Sequence, residues 1–145
     1  MSPLLEILAT LAAGLFAGAA VYVTAVEHPA RVSCGSVLAV AEFRPSYERG
    51  RIMQTSLALL GALAAIVRWG LGGHLGWLIG RLLLGAVVPF TFFVIAPTAT
   101  RLLDVSLDLS SPESAALLAR RGWPHAARSA ASLVAFLIFV SLLVR

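Results

Sequence analysis

Charged side chains are scarce in this chain: they make up 12% of its 145 residues, against roughly 25% in an ordinary soluble domain. With 59% of the residues hydrophobic, the chain lacks the polar surface a large water-soluble module needs. Cysteine is almost absent. Cys34 alone cannot close an intramolecular disulfide, and it excludes every multi-cysteine zinc or cluster site. Lysine is missing altogether, so the 11 basic residues are all arginine, set against 7 acidic ones for a net charge of +4. These arginines are scattered between apolar segments and form no basic run interleaved with aromatics. Nucleic acid is therefore not an expected partner, and the lipid bilayer is.

What the chain does have is four apolar stretches: Leu4 to Val26, Ile52 to Val67, Leu75 to Ala96 and Ala126 to Val144. At about 20 residues per crossing, they predict an all-α, four-helix transmembrane bundle of up-down topology that occupies residues 1–145 as one domain. The first stretch does not read as a cleaved leader, because its leading residues carry Glu6 and no Lys or Arg and its apolar run is too long. Pro45 suits a first helical turn, which predicts that the second helix starts there. Gly70 to His74 make a tight hairpin. Residues 27–44 and 97–123 are then longer connections on the other side of the membrane, the second of them carrying a short surface helix opened by Ser111-Pro112-Glu113. Pro89 predicts a kink in the third helix.

Counting arginines orients the bundle. Arg31, Arg44, Arg49, Arg51, Arg101, Arg120, Arg121 and Arg128 fall on the side of the long connections, and only Arg68, Arg81 and Arg145 on the other. The positive-inside rule puts the larger group in the cytoplasm and both termini outside, as in a bacterial inner membrane. Arg31, Arg44 and Arg49 read as interfacial anchors. Gly14, Gly18 and Tyr22 predict a close-packing face on the first helix. On the second, Tyr47, Arg51, Gln54, Ala58, Gly61 and Ala65 form a stripe that turns from polar to small and should face the interior.

Polar residues gather at the end with the long connections. The first helix ends in Glu27-His28-Pro29-Ala30-Arg31, with Pro29 marking its boundary. The fourth begins Trp123-Pro124-His125-Ala126-Ala127-Arg128, which puts His125 and Arg128 on one face. Ionisable groups at membrane depth are costly, which makes them candidates for function. His74, in the hairpin at the opposite end, is outside this set. Thr91 is placed either to bond the carbonyl of Val87 or to join the site.

These blocks carry a resemblance. Gly14, Gly18 and Tyr22 running into Glu27-His28-Pro29-Ala30-Arg31, then Tyr47 to Gln54, Pro89-Phe90-Thr91 with Pro97-Thr98, and His125 to Arg128 together resemble the anthrone-oxygenase-like family of small four-helix membrane proteins. Two positions depart from the family pattern: Ala99 replaces an asparagine after Pro-Thr, and Arg121 a tryptophan about a turn before the histidine. Those changes bear on the substrate more than on the fold. The resemblance implies oxidation of an anthrone-type or similar activated aromatic compound by dioxygen, without an organic cofactor. On these residues, His28, Glu27 and His125 are the candidate catalytic groups. Tyr22, Arg51, Arg128, Thr91 and Thr98 are the candidate substrate-binding groups, and an intrabundle cavity would suit a small apolar aromatic substrate. Two other readings use the same residues: a metal held by His28, His125 and Glu27, or a non-enzymatic membrane subunit whose polar cluster ties four helix ends together.

Overall fold

A computed structural model of the protein describes residues 2–145, and among those residues it contains helices and turns but no strand. α1 (Ser2–Tyr22) runs through a π-helical turn, Val23–Glu27, into α2 (His28–Ser33), and α3 (Ser36–Gly70) comes immediately after. α4 (Leu75–Phe90) likewise passes through a π turn, Thr91–Ile95, into α5 (Ala96–Leu103). A loop then leads to α6 (Pro112–Arg120) and α7 (Gly122–Leu143). These segments make four rods, Pro3–Ser33, Ser36–Gly70, Leu75–Leu103 and Pro112–Leu143, each long and apolar enough to cross a membrane. α1 and α4 each pack against both α3 and α7, so the four rods stand at the corners of a square. This is the up-down bundle the apolar stretches predict, with the short helix α6 ahead of the last span.

Small residues let the rods approach. Ala9, Ala13 and Ala20 of α1 and Ala58 and Ala65 of α3 are buried together with Phe16, Trp77, Leu84 and Phe139. Lipid offers no hydrophobic reward for joining helices, so such close packing is a main source of their affinity. The packing face of α1 is this alanine row rather than the Gly14, Gly18 and Tyr22 row. Gly14 does face Phe136, but a Cβ on Gly18 would meet nothing within 4 Å, and Tyr22 is 56% exposed. At the end that holds the α3–α4 hairpin, Glu6 pairs with Arg68. There the His74 ring caps α4 by accepting from the Gly76 N–H at 3.0 Å.

Three predicted boundaries move. Helix does not stop at Pro29, because the π turn before it closes with an N–H bond from His28 to the carbonyl of Val23. The widened turn relieves the pressure of the proline ring on the preceding turn. The same device precedes Pro97, where the Ala96 N–H bonds the carbonyl of Thr91. Residues 27–44 are not a connection: only Cys34 and Gly35 separate α2 from α3, with Gly35 at φ +83° making the turn. α3 therefore begins at Ser36 and carries Pro45 inside it. Its 35 residues span roughly 52 Å at 1.5 Å each, well beyond the ~30 Å of a bilayer core.

The extra turns of α3 build a second core. Ala39, Val40 and Phe43 are buried with Ala99, Leu102, Leu107 and Leu118 from α5, the loop after it and α6. Arg44 is not a lipid anchor there. Its guanidinium donates to the carbonyls of Leu102 and Asp104 at the C-terminal end of α5. α6 is capped by the Ser111 hydroxyl, which accepts from the Ser114 N–H, and is tied to α5 by Arg101 and Glu113. The bundle end opposite the α3–α4 hairpin is thereby closed by packed helix instead of loose loop.

Candidate functional site

Beneath that cap, between the rods, lies a cavity that opens to the outside at its mouth. Its apolar wall includes Phe16, Phe43, Ala58, Val87, Val88 and Ile95. The π turns shape it directly, since the first and last residue of each, Val23 and Glu27, Thr91 and Ile95, all stand on the wall. A π turn inserts one extra residue and rotates the rest of its helix by roughly 100°. Adjacent residues on a helix point about 100° apart, and here Glu27 lines the cavity while His28, half-buried at the start of α2, does not.

Polar groups enter from every rod. Arg31 is 8% exposed, a buried ion-pair centre rather than an interfacial anchor. Its guanidinium pairs with the carboxylates of Glu27 and Glu42 and donates to the Ser46 hydroxyl at 3.1 Å. The tight turn at Gly35 makes this possible by folding α3 back beside α2. α3 contributes Tyr47, Arg51, Gln54 and Thr55, of which Gln54 is buried and Arg51 sits exposed at the rim. Thr91 is on the wall, and its hydroxyl donates to the Val87 carbonyl at 2.7 Å.

The deepest charges come from α7 and the residue before it. Arg121 and Arg128 are 4% and 7% exposed, and His125 between them is 7% exposed. Arg121 Nη2 lies 2.9 Å from His125 Nε2, and Arg128 Nη2 lies 3.2 Å from His125 Nδ1. A guanidinium only donates, whereas a neutral imidazole has one acceptor nitrogen and one N–H. His125 can therefore satisfy one of the two arginines and not both. Aromatic faces hold the guanidiniums in place: Arg121 lies over Phe43 at 4.2 Å and Tyr47 at 5.5 Å, and Arg128 over Phe16 at 5.7 Å. Arg121 Nη1 and Arg128 Nε are buried without any hydrogen-bond partner. Among the described residues no carboxylate pairs with either arginine, because Glu27 and Glu42 are both engaged by Arg31.

Below the cavity, the Thr24 and Ser129 hydroxyls meet at 2.8 Å, and the Ser129 hydroxyl lies 2.8 Å from the Ala20 carbonyl. This polar stitch fixes α7 against the first rod and so sets the depth at which His125 and Arg128 stand.

Of the residues singled out in the sequence, Glu27, Arg51, Thr91, His125 and Arg128 are brought together on this cavity. Tyr22, His28 and Thr98 are not on its wall. Glu27, His28 and His125 do not converge as a ligand set: Glu27 is paired with Arg31, and both ring nitrogens of His125 face guanidiniums. Among the described residues no group of three or more His, Cys, Asp or Glu side chains is placed to hold a metal ion. Arg121 was missed as a site residue. The signal that finds it is its i, i+4 spacing to His125, which puts it on the face that His125 and Arg128 already mark.

A four-rod membrane bundle with an ionisable cavity under a helical cap is the class of protein that this fold and site define. The chain belongs to the anthrone oxygenase family, whose profile matches residues 43–138, from the cap-forming turns of α3 well into α7. No curated protein and no solved structure matches the chain.

Proposed function

We propose that the cavity binds an anthrone-type compound, a fused aromatic with an acidic ring methylene, and oxidises it with dioxygen to the quinone. The observation that carries this reading is one chamber holding a carboxylate, guanidiniums and a largely apolar wall inside a bundle of this family. Glu27 accepts the first methylene proton. The anion left behind spreads onto the ring oxygen, where Arg51 at the rim supplies positive charge, as preorganised donors do for a developing oxyanion. That electron-rich carbon reduces dioxygen and becomes bonded to it. Loss of the second hydrogen as a proton, with cleavage of the O–O bond, leaves one oxygen as the quinone carbonyl and releases the other as water. The electrons come from the substrate, so the chemistry needs no organic cofactor. Arg128 and Thr91 hold the substrate. His125 acts by positioning the arginines on either side of it, and His28 stands behind Glu27, off the wall.

The orientation belongs to the same proposal. Arg31, Arg121 and Arg128 are buried in the site and say nothing about topology. Arg44, Arg49, Arg51, Arg101 and Arg120 remain at the cavity end against Arg68, Arg81 and Arg145 at the other, which still favours cytoplasmic placement of the cavity and termini outside.

Dioxygen uptake and quinone absorbance of the purified protein with 1,8-dihydroxyanthrone test the reading. Turnover well above the buffer rate is expected. Glu27→Gln should lower it by about 100-fold or more, the range of a lost general base. A wild-type rate equal to that of heat-inactivated protein would contradict an oxygenase, and full activity in a folded Glu27→Gln variant would remove Glu27 as the base.

A further inference from the structure

Among the described residues, two buried cations of the cavity lack a counter-charge at rest. Arg31 is matched by Glu27 and Glu42, but Arg121 and Arg128 face only the histidine they share, and each keeps a buried N–H group without a partner. A buried charge left unpaired is costly at all times, not only during turnover. A neutral substrate that turns anionic for an instant does not relieve that. We infer that the natural ligand carries a permanent acidic group, and that Arg121 and Arg128 form its subsite: the ligand is an aromatic acid, its carboxylate set between the two guanidiniums and its rings against the apolar wall. This rests on the reading of the cavity as a substrate chamber.

The geometry suits a two-oxygen anion. The arginines approach His125 from opposite ring nitrogens, at 2.9 and 3.2 Å, and the imidazole can accept from only one of them. A carboxylate has two oxygens, one for each guanidinium, and takes over the acceptor role that the imidazole cannot fill twice. Phe43, Tyr47 and Phe16 already pin the guanidinium faces, and Arg121 Nη1 and Arg128 Nε remain without an acceptor there. Little ordering is then required on binding, and charge-assisted bonds of this kind are about twice as strong as neutral ones.

The test is a binding titration with an oxidised ring system that cannot turn over, so that it does not depend on oxygenase activity. Anthraquinone-2-carboxylate and anthraquinone-2-carboxamide have the same shape and differ in charge. The acid should bind the detergent-purified protein about tenfold tighter than the amide or more, as expected when two charge-assisted bonds replace neutral ones. Arg121→Gln and Arg128→Gln should each erase most of that preference, and Arg121→Lys, which keeps the charge but not the stacked planar fork, should retain part of it. Equal binding of acid and amide to the wild-type protein overturns the inference, as does a folded Gln variant that keeps the preference. If either Gln variant fails to fold, the wild-type ratio of acid to amide binding decides. Phosphatidylglycerol added to phosphatidylcholine micelles separates the other source of an anion: displacement of the acid by that lipid, dependent on Arg121, would assign the subsite to a headgroup and overturn the aromatic acid. An acid preference without any dioxygen uptake would uphold the subsite while refuting the oxygenase.

Discussion

Replacing Gly80 by alanine adds a single methyl group at the glycine of the bundle where a Cβ would have least room. An ideal Cβ there would stand 2.2 Å from Phe139 Cε1 and 2.8 Å from its Cδ1 and Cζ atoms. Ordinary van der Waals contact begins at 3.4 Å, so the nearest ring atom falls about 1.2 Å short of it. Phe139 has nowhere to go: it is fully buried and stacks on Trp77 at 5.1 Å, and Trp77 is itself 2% exposed. Overpacking of this kind costs about 1–3 kcal/mol. Gly18→Ala is the matched control, with a similar helix-propensity gain of up to about 1 kcal/mol and a Cβ that meets nothing within 4 Å. The difference between the two variants isolates the packing cost. At about 2–4 °C per kcal/mol, Gly80→Ala should melt roughly 2–12 °C below Gly18→Ala when tryptophan fluorescence is followed in detergent. Equal melting temperatures would refute the claim that α4 and α7 meet at this glycine.

Gly35→Ala should destabilise by about 1–3 kcal/mol, since φ +83° and ψ 157° lie where essentially only glycine is unstrained and no neighbour is within 4 Å to add a clash; an unchanged melting temperature would contradict the turn. The loop after α5 should loosen in acid. The Ser106 hydroxyl and then its N–H hold the Asp104 carboxyl below the usual carboxylate range, and the Ser110 hydroxyl and N–H do the same for Asp108. With depressed folded-state values, this stabilisation is present above the ordinary carboxylate range and is lost as pH falls through the lowered values. Amide exchange at Ser106 and Ser110 should therefore be protected at neutral pH and lose that protection only below the ordinary carboxylate range, while Asp104→Asn should shift the response at Ser106 alone; protection that ignores pH down to strong acid would contradict it.

The spans were legible because each is an apolar run ended by a charge or a breaker, and α6 because Ser111-Pro112-Glu113 is a strong helix start. The reach of α3 was not. Glu42, Arg44 and Pro45 give residues 36–44 a loop-like look, although Ala39, Val40, Phe43 and Tyr47 already repeat at helical spacing. The prolines misled in the same way, because a π turn lets helix run on through Pro29 and Pro97, and nothing local in the sequence announces that turn. Half of the site could be read from helix-end composition: Glu27, Arg51, Thr91, His125 and Arg128 line the cavity. The role of Arg31 was hidden because its second carboxylate, Glu42, comes back only through the turn at Gly35. His28 was misplaced because the π turn sets it about 100° from where an unbroken α-helix would put it.

Filling the cavity tests the central claim most directly. Thr55 is half-buried on the wall of the chamber and takes part in none of its ion pairs, so Thr55→Trp occupies the space without removing a charge. Tyr22→Trp, on the exposed face of α1, is its control. With both variants folded, dioxygen uptake with 1,8-dihydroxyanthrone should fall to the buffer rate in Thr55→Trp and stay at the wild-type rate in Tyr22→Trp. Wild-type turnover in a folded Thr55→Trp protein would show that the reaction takes place outside this cavity.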